Sequence, residues 1–215
     1  MGTRFEDRTD AGQHLAAALG RFRERPDTVV LGLARGGIPV AAAAAKVLHL
    51  PLGTVLVRKL GIPGHDETAY GALAWAHGRT VRLLNKPLLE RVLEHGVQQE
   101  LLDDVEKRER EELLRRVELY PGSNTDVAGR TVLLVDDGLA TGATMRAAVE
   151  AVREGGAAAV VAAAPVGSID AEASLERVCD AVVCLHLPGK FRAVGSYYRH
   201  FGQLGDDDAV RLLAR

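Results

Sequence analysis

The fold is decided by the stretch Val132-Leu133-Leu134-Val135-Asp136-Asp137-Gly138-Leu139-Ala140-Thr141-Gly142-Ala143-Thr144. Four consecutive apolar residues are typical of a strand that is buried on both faces of a parallel sheet. Small and hydroxyl residues follow as a loop, and a helical pattern begins after them. Such a loop lies at the carboxyl end of the strand and the amino end of the helix, where open α/β sheets bind ligands. The stretch therefore predicts an α/β fold with a ligand site at this loop.

The loop at residues 138–144 has the composition of an anion site. Unpaired N–H groups and the positive end of the helix dipole favour a phosphate at such a position. Gly138 and Gly142 allow the backbone to curve around an anion without steric conflict. Thr141 and Thr144 add hydroxyl donors. We therefore expect this loop to bind a phosphate group.

The two acidic residues before the loop point to a second ligand contact. Asp136 and Asp137 are adjacent, so their side chains diverge. They could bind two vicinal hydroxyls of a ribose, or one hydroxyl and a metal ion. The alternative is a plain strand–turn–helix with an Asp cap and a Gly turn. That alternative requires neither two acids nor the Thr-Gly-Ala-Thr sequence, so we prefer the ligand interpretation.

The whole stretch resembles the phosphoribosyl-pyrophosphate-binding signature of type I phosphoribosyltransferases. That signature is an apolar strand, two acids, two variable residues, a small or acidic residue, and then Thr-Gly with a small-residue turn. The resemblance implies a twisted, mostly parallel sheet with helices on both faces, in a single domain over residues 1–215. It implies that Asp136 and Asp137 are catalytic and hold the ribose hydroxyls, directly or through Mg²⁺. It also implies that the 5′-phosphate is bound by Leu139, Ala140, Thr141, Gly142, Ala143 and Thr144.

A second glycine-rich turn between a predicted strand and helix is Ala34-Arg35-Gly36-Gly37. Its glycines are in the wrong places for a Walker loop or a dinucleotide-binding fingerprint. Taken alone, it would be interpreted as a tight turn with an exposed arginine. Xanthine–guanine members of the resembled family have a similar turn, which binds pyrophosphate. By that resemblance we assign Arg35, Gly36 and Gly37 to pyrophosphate.

Arg58 and Lys59 follow the second predicted strand and begin a loop rich in glycine, proline and charge, expected at residues 59–68. Cations at the carboxyl end of a strand suit a pyrophosphate leaving group, whose charge grows in the transition state. The resemblance places the mobile catalytic loop of the family here, and we predict that Arg58 and Lys59 are catalytic. The alternative is a surface loop with an unrelated basic pair.

The sequence features that would bind the acceptor of the phosphoribosyl group are less specific than those described above. Phe191 follows the last predicted strand, as does an aromatic residue that stacks on the purine in 6-oxopurine members. Phe191 could equally belong to the packing of a C-terminal hood at residues 188–215. Hypoxanthine–guanine members carry an Asp where this chain has Ala140. A positioned acid or base typically increases the reaction rate roughly 10²–10⁴-fold. Either the acceptor needs no such group, or another residue supplies it, with His65 and Glu67 as candidates.

The resulting hypothesis is Mg²⁺-dependent transfer of the 5-phosphoribosyl group from phosphoribosyl pyrophosphate to a nitrogen acceptor, expected to be a nucleobase, with release of pyrophosphate. The first alternative is a regulatory protein that senses phosphoribosyl pyrophosphate or a nucleotide without turnover. The second is a partner-binding protein built around charged helices at residues 86–119. These helices form a predicted helical insertion at residues 85–120.

Composition limits the other classes of function. The chain has 27 basic and 29 acidic residues, which gives no overall field for nucleic acid or an anionic membrane. We therefore expect small-molecule partners only. Residues 1–10 lack the apolar core of a signal peptide, and no apolar run is long enough to span a bilayer. A cytoplasmic location follows as an expectation, and a homodimer is expected by analogy with the fold. Cys179 and Cys184 lack the neighbours of a zinc site and are expected to be buried thiols.

The hydrophobic pattern predicts the remaining elements. Helices are expected at residues 11–23 with Asp10 as N-cap, at 38–48, 143–153, 170–178 and 206–213, and at 86–119 with a division at Gly96. Strands are expected at residues 28–33, 52–57, 69–75, 80–84, 132–135, 158–165 and 181–187. A turn at residues 76–78 is expected to join the third and fourth strands.

Overall fold

The computed structural model describes residues 4–76 and 78–214, without the side chains of Asp66 and Glu67. Within this range seven strands form one sheet in the order β4-β3-β2-β1-β5-β6-β7. The strands are β1 Thr28–Leu33, β2 Leu52–Ile62, β3 His65–Ala76, β4 Arg79–Leu84, β5 Thr131–Val135, β6 Ala159–Val166 and β7 Ala181–His186. The helices are α1 Arg8–Ala18, α2 Gly37–Leu48, α3 Lys86–Glu94, α4 Gln99–Leu119, α5 Ala143–Glu154, α6 Ile169–Leu175 and α7 Asp206–Leu213.

The sheet is mostly parallel, as predicted. The pairs β1–β2, β1–β5, β5–β6 and β6–β7 are parallel, whereas β2–β3 and β3–β4 are antiparallel. Strand β5 lies between β1 and β6, and its apolar residues 132–135 are completely buried. The predicted α/β class and the predicted burial of this strand are therefore confirmed.

Helices cover both faces of the sheet because successive strand side chains point to opposite faces. On one face, Val132 and Leu134 pack with Met145 and Val152 of α5. On the other face, Leu133 and Val135 pack with α1 and α2 through Leu15, Leu19, Val40, Ala41 and Ala44. The carboxyl ends of β1 and β5 remain uncovered between these layers.

The predicted loop at residues 59–68 is wrong. Strand β2 continues to Ile62, and β3 begins at His65, so that this region is an antiparallel hairpin with a turn at residues 63–64. The physical reason is alternation: Leu60 and Ile62 are buried among Tyr70, Leu102 and Val105, while Lys59 is exposed and Gly61 is half-buried. Helix α4 supplies part of this apolar surface, so the local sequence alone did not indicate a strand.

Two helices lie in the charged segment after β4, and Gly96 with φ of 87° separates them, as predicted. Helix α4 packs on the β2–β3 hairpin through Leu102, Val105 and Leu113. The hydroxyl of Tyr70 donates a hydrogen bond to the Leu102 carbonyl at 2.9 Å, and burial raises the pKa of Tyr70 to about 12. Whether this segment is an insertion into a single domain stays a prediction, as does the separate hood at residues 188–215.

Helix α1 begins earlier than predicted. Asp7 is its N-cap and accepts a hydrogen bond from the Asp10 N–H at 2.9 Å, while Asp10 accepts one from the Glu6 N–H at 2.9 Å. This reciprocal pair resembles a capping box and fixes the start at Arg8. The expected N-cap at Asp10 and the expected end at residue 23 are therefore wrong. The regular helix ends at Ala18, and a short 3₁₀ turn covers residues 20–22.

The C-terminal segment folds back on the N-terminus. The Phe5 N–H donates to the Tyr197 carbonyl, and the N–H groups of Arg199 and His200 donate to the carbonyls of Phe5 and Glu6, each at 2.9 Å. Helix α6 ends at Leu175, three residues before the predicted end. The predicted turn at residues 76–78 includes His77, which lies outside the described residues. Among the described residues, none of the helices has the length and hydrophobicity to cross a membrane.

Candidate functional site

The two glycine-rich turns meet at one edge of the sheet. Strands β1 and β5 are parallel neighbours, so the turn at residues 34–37 and the loop at 138–144 leave the sheet side by side. A Cβ atom at Gly36 would overlap the carboxylate of Asp137. A Cβ atom at Gly37 would overlap the Val135 carbonyl oxygen and would lie 2.9 Å from the Asp136 Cα. The paired glycines therefore bring the turn into contact with the acidic pair.

The loop at 138–144 presents main-chain N–H groups that have no acceptor within the protein. In the described part of the chain, this holds for Ala140, Thr141, Gly142 and Thr144. The Ala143 N–H has only a long hydrogen bond of 3.4 Å to Thr141 Oγ1. Gly142 precedes α5 with φ of 72°, a conformation that glycine adopts without strain. The geometry is that of an anion-binding loop at a helix N-terminus.

Two residues of this loop have other roles than predicted. Leu139 is buried, and its N–H donates to the Val166 carbonyl at 2.9 Å, so it supports the loop instead of contacting a phosphate. Gly138 does not have the positive φ of Gly142. A Cβ atom at Gly138 would lie 2.5 Å from a methyl group of Val194, so glycine is required there by packing of the C-terminal segment.

The acidic pair is half-buried and densely hydrogen-bonded. The Asp137 N–H donates to Asp136 Oδ1 at 2.9 Å. Burial raises the pKa of Asp136 well above its ordinary value, and the Asp137 charge raises it further. The charges of Arg8 and Lys59 act in the opposite direction on the pKa of Asp136. Burial also raises the pKa of Asp137, against the opposing effect of Arg8.

A metal ion would fit this donor set. Two adjacent carboxylates suit Mg²⁺, which proteins bind through one or two carboxylates together with substrate phosphates and water. The described side chains contain no cluster of three or more His, Cys, Asp or Glu groups suited to a metal. Any metal at Asp136 and Asp137 would therefore take its remaining ligands from the substrate and from water.

The structure separates the two predicted cations of β2. Lys59 is exposed and acts electrostatically on Asp136. It lines a cleft of about 450 Å³ together with Ala34 and Thr144, which come from the two turns. Arg58 lines the same cleft, but its Nε and Nη2 donate to Glu109 Oε2 of α4 at 2.7 and 2.6 Å. Lys59 and Arg58 thus both line the cleft, but Arg58 is engaged there by Glu109, which lines the same cleft.

Arg35 is exposed beside the acidic pair and the C-terminal helix. Its Nη1 lies 3.7 Å from Asp206 Oδ1, and the Tyr120 hydroxyl donates to the same oxygen at 2.5 Å. The peptide bond between Ala34 and Arg35 is cis. The N–H groups of Gly36 and Gly37 donate to no acceptor among the described residues. The turn therefore offers two amides and a guanidinium to an anion.

Phe191 packs within the C-terminal segment. Its ring stacks on Tyr197, with centroids 5.7 Å apart and an interplanar angle of 22°, in a cluster with Phe5 and Tyr198. This arrangement favours the packing interpretation over a base-stacking role. His65 begins β3 in the hairpin, and the Glu67 side chain lies outside the described part of the protein.

Two residues at the acidic pair were missed from the sequence. Arg8 forms a salt bridge with Asp137 at 2.8 Å, across 129 positions of sequence. The Tyr198 hydroxyl donates to the Asp137 main-chain carbonyl at 2.6 Å. No spacing rule connects such distant positions, so only the fold reveals these contacts.

The sheet order, the paired turns and the acidic pair together define a phosphoribosyltransferase domain of type I. Comparison with known families agrees: the model described as "Phosphoribosyl transferase domain" matches residues 5–197, and the chain belongs to this family. The resemblance deduced from the sequence is therefore confirmed.

Individual relatives are similar over nearly the whole chain. A Mycobacterium tuberculosis protein named "Putative phosphoribosyl transferase Rv0571c" is 42% identical over 213 residues, which are 98% of this chain and 46% of that protein. The chain thus spans about half the length of the curated relatives it matches. The crystal structure of TT1426 from Thermus thermophilus is 40% identical, covers 98% of both chains and has a TM-score of 0.79. The AQ2163 protein from Aquifex aeolicus, at 10% identity, shares the fold with a TM-score of 0.51 over 84% of this chain and 74% of its own.

Proposed function

We propose that the protein transfers the 5-phosphoribosyl group of phosphoribosyl pyrophosphate to a nitrogen acceptor, with a nucleobase as the first candidate, and that Mg²⁺ is required. The observation that carries the proposal is the contact between the glycine turn and the acidic pair, where no side chain fits at Gly36 or Gly37. This contact supports a site that holds the pyrophosphate and the ribose of one substrate at the same time. Membership in the phosphoribosyl transferase family supports the same reaction class.

The 5′-phosphate fits the loop at 138–144. The unpaired amides of Ala140, Thr141, Gly142 and Thr144 support a phosphate at the N-terminus of α5. Thr141 and Ala143 are exposed, so the position is open to solvent. We assign binding of the 5′-phosphate to Ala140, Thr141, Gly142, Ala143 and Thr144, and not to Leu139.

The pyrophosphate fits the cleft between the two turns. Lys59, which lines this cleft, and the exposed Arg35 of the adjoining turn would supply positive charge, and the Gly36 and Gly37 amides of that turn would supply donors. Asp136 and Asp137 would bind the ribose hydroxyls and hold Mg²⁺, which when bound neutralises part of the pyrophosphate charge. Because this charge grows as the leaving group departs, cations fixed in advance stabilise the transition state.

The reaction is a substitution at the anomeric carbon. The bond from this carbon to the pyrophosphate oxygen breaks, and its electron pair leaves with the oxygen. The acceptor nitrogen supplies the pair for the new bond from the opposite side and releases its proton to solvent or to a base. The protein contributes positioning and electrostatics and needs no covalent intermediate. Because residue 140 is alanine, the acceptor is expected to need no acid from that position.

A sensor without turnover is the second candidate. It is favoured by one observation: Arg58 is paired with Glu109, and Arg35 lies near Asp206, so two of the three candidate cations are engaged by acids. A homodimer and a cytoplasmic location are kept as part of the proposal. Light scattering of the purified protein would test the dimer.

Calorimetry with phosphoribosyl pyrophosphate, with and without Mg²⁺, tests the proposal. We expect metal-dependent binding that Asp137→Asn weakens strongly and that Asp170→Asn, an exposed acid of α6, leaves unchanged. A screen of nucleobases and small amines with labelled substrate then separates the two candidates. Transfer to any acceptor supports the enzyme, and tight binding without transfer supports the sensor. The absence of binding in the presence of Mg²⁺ would refute both.

A further inference from the structure

Arg8 binds the second acid of the pair through a largely buried salt bridge. Both its Nε and its Nη2 lie 2.8 Å from Asp137 Oδ2. The side chains of Arg8 and Asp137 are only 12% and 14% exposed. A buried charge pair is strongly disturbed when one partner is removed, whereas an exposed pair contributes little. Removal of Arg8 or Asp137 from this salt bridge is therefore expected to disturb the remaining partner strongly.

The same guanidinium also holds the C-terminal segment. Its Nη1 donates to the Gly202 carbonyl at 3.0 Å, and its central carbon lies 3.8 Å from the centre of the Phe201 ring. A cation at this distance over an aromatic face is attracted to it. Tyr198 of the same segment donates its hydroxyl to the Asp137 carbonyl. Asp137 is thus held both by the start of α1 and by the segment at residues 198–202.

Arg8 uses one carboxylate oxygen only. Both of its bonds to Asp137 go to Oδ2, so Arg8 does not occupy Oδ1. A carboxylate fixed in this way presents a defined oxygen to a sugar hydroxyl or a metal. Mutation of a partner that orients a metal ligand typically lowers metal affinity or activity by roughly 10–100-fold.

We propose that Arg8 is a positioning residue that fixes Asp137 and couples it to the segment at residues 198–202. The proposal rests on the proposed function, because it assigns Asp137 to the ribose and the metal. Its consequence is that the ribose side of the site and the C-terminal segment at residues 198–202 are ordered together. Loss of Arg8 releases both at once, although Arg8 itself contacts neither substrate.

Arg4 provides a matched control. Its Nε donates to the Ser196 carbonyl at 3.1 Å, so it also ties the N-terminal segment to the C-terminal one. It is exposed and has no contact with the acidic pair. A purely structural role of N-terminal arginines would affect both variants alike, whereas positioning of Asp137 would affect Arg8 alone.

The test combines two measurements on the full chain. Calorimetry measures the affinity for phosphoribosyl pyrophosphate with Mg²⁺, and amide hydrogen exchange without ligand measures the protection of Arg199 and His200. For Arg8→Gln we expect a loss of affinity of roughly 10–100-fold and faster exchange of both amides. For Arg4→Gln we expect unchanged affinity. Arg8→Lys should regain affinity through one bond to Asp137 but not the protection, since it cannot also reach Gly202.

Several outcomes would overturn the inference. Unchanged affinity and unchanged exchange in Arg8→Gln would do so, as would an equal loss of affinity in Arg4→Gln. Should Arg8→Gln fail to fold, Asp137→Asn replaces it, because it removes the charge partner and leaves Arg8 in place. Unaltered exchange of Arg199 and His200 in that variant would refute the coupling. Failure of the wild-type protein to bind the substrate would refute the proposed function only, since the exchange measurements need no ligand.

Discussion

Gly36 and Asp137 are packed so closely that a single methyl group on Gly36 would occupy the position of the Asp137 carboxylate. The two residues come from different turns, at the ends of neighbouring parallel strands. The contact therefore joins the part of the site proposed to bind pyrophosphate to the part proposed to bind the sugar. It also explains why this turn carries two consecutive glycines.

Replacement of Gly36 by alanine should displace the acidic pair. Overpacking of this kind costs about 1–3 kcal/mol of stability, and we expect substrate binding to be lost in addition. Urea denaturation measures the first effect and calorimetry the second. Gly20→Ala is the control, because a Cβ atom there meets nothing within 4 Å. Wild-type affinity in Gly36→Ala would contradict the assignment of this turn.

The Gly142→Ala variant, compared with Gly129→Ala, should distinguish the stability cost of backbone strain from a loss of ligand binding. Gly142 has φ of 72°, and an alanine in this region costs about 1–2 kcal/mol. Gly129 has φ of 69°, lies away from the loop, and has open space around it. Both alanine variants should lose similar stability in urea denaturation. Only Gly142→Ala should lose affinity for ribose 5-phosphate, measured by calorimetry, because only this residue shapes the loop. Equal affinities in the two variants would count against a phosphate site there.

Asp206→Asn should strengthen pyrophosphate binding. Asp206 Oδ1 lies 3.7 Å from Arg35 Nη1. An anion that binds this guanidinium would have to compete with the Asp206 carboxylate. The hydrogen bond from Tyr120 and the nearby arginines lower the pKa of Asp206, so it is charged at neutral pH. An exposed ion pair is worth about 0.2–1 kcal/mol, which corresponds to a gain of up to about fivefold. The exposed Asp207→Asn is the control, and calorimetry with pyrophosphate the measurement. Weaker binding in Asp206→Asn would show that Asp206 assists the site.

The thiols should remain protonated and unreactive at pH 8. Burial raises the pKa of Cys184 from 9.0 to about 11 and also raises the pKa of Cys179. Because the thiolate is the nucleophile, mass spectrometry after iodoacetamide treatment should find the native protein unmodified and the urea-unfolded protein modified at both residues. The raised pKa of Cys184 stabilises the fold below pH 9, and this stability is lost as the pH rises towards 11. Cys179 and Cys184 are half-buried and not fully buried as the sequence predicted. Rapid labelling of the native protein at pH 8 would therefore contradict the raised pKa values of the two thiols.

The central part of the fold could be predicted because its signals are local. The apolar run of β5, the glycines of both turns and the acidic pair each occupy a few consecutive positions. A buried strand, a tight turn and a helix start have recognisable patterns at this length. The parallel arrangement of neighbouring strands then placed the two turns together.

The parts that could not be predicted depend on distant contacts. The outer half of β2 is a strand because Leu60 and Ile62 are covered by α4, some 40 positions later in the sequence. The pairing of Arg58 with Glu109 has the same origin. Arg8 reaches Asp137 from the first residue of α1, which begins three residues before the start that the sequence pattern predicts. Composition and periodicity carry no information on such pairs.

The packing of α4 on the β2–β3 hairpin has a kinetic consequence. The hairpin lies where the family resemblance predicts a mobile loop, yet it carries the buried Tyr70, whose hydroxyl donates to the backbone of α4. Displacement of the hairpin from α4 would break this bond and expose Leu60 and Ile62 to water. The hairpin and α4 are therefore held together, so a displacement of this wall of the cleft would have to move two strands and a 21-residue helix jointly. In the proposed reaction, such a collective motion would be slower than the closing of a short flexible loop.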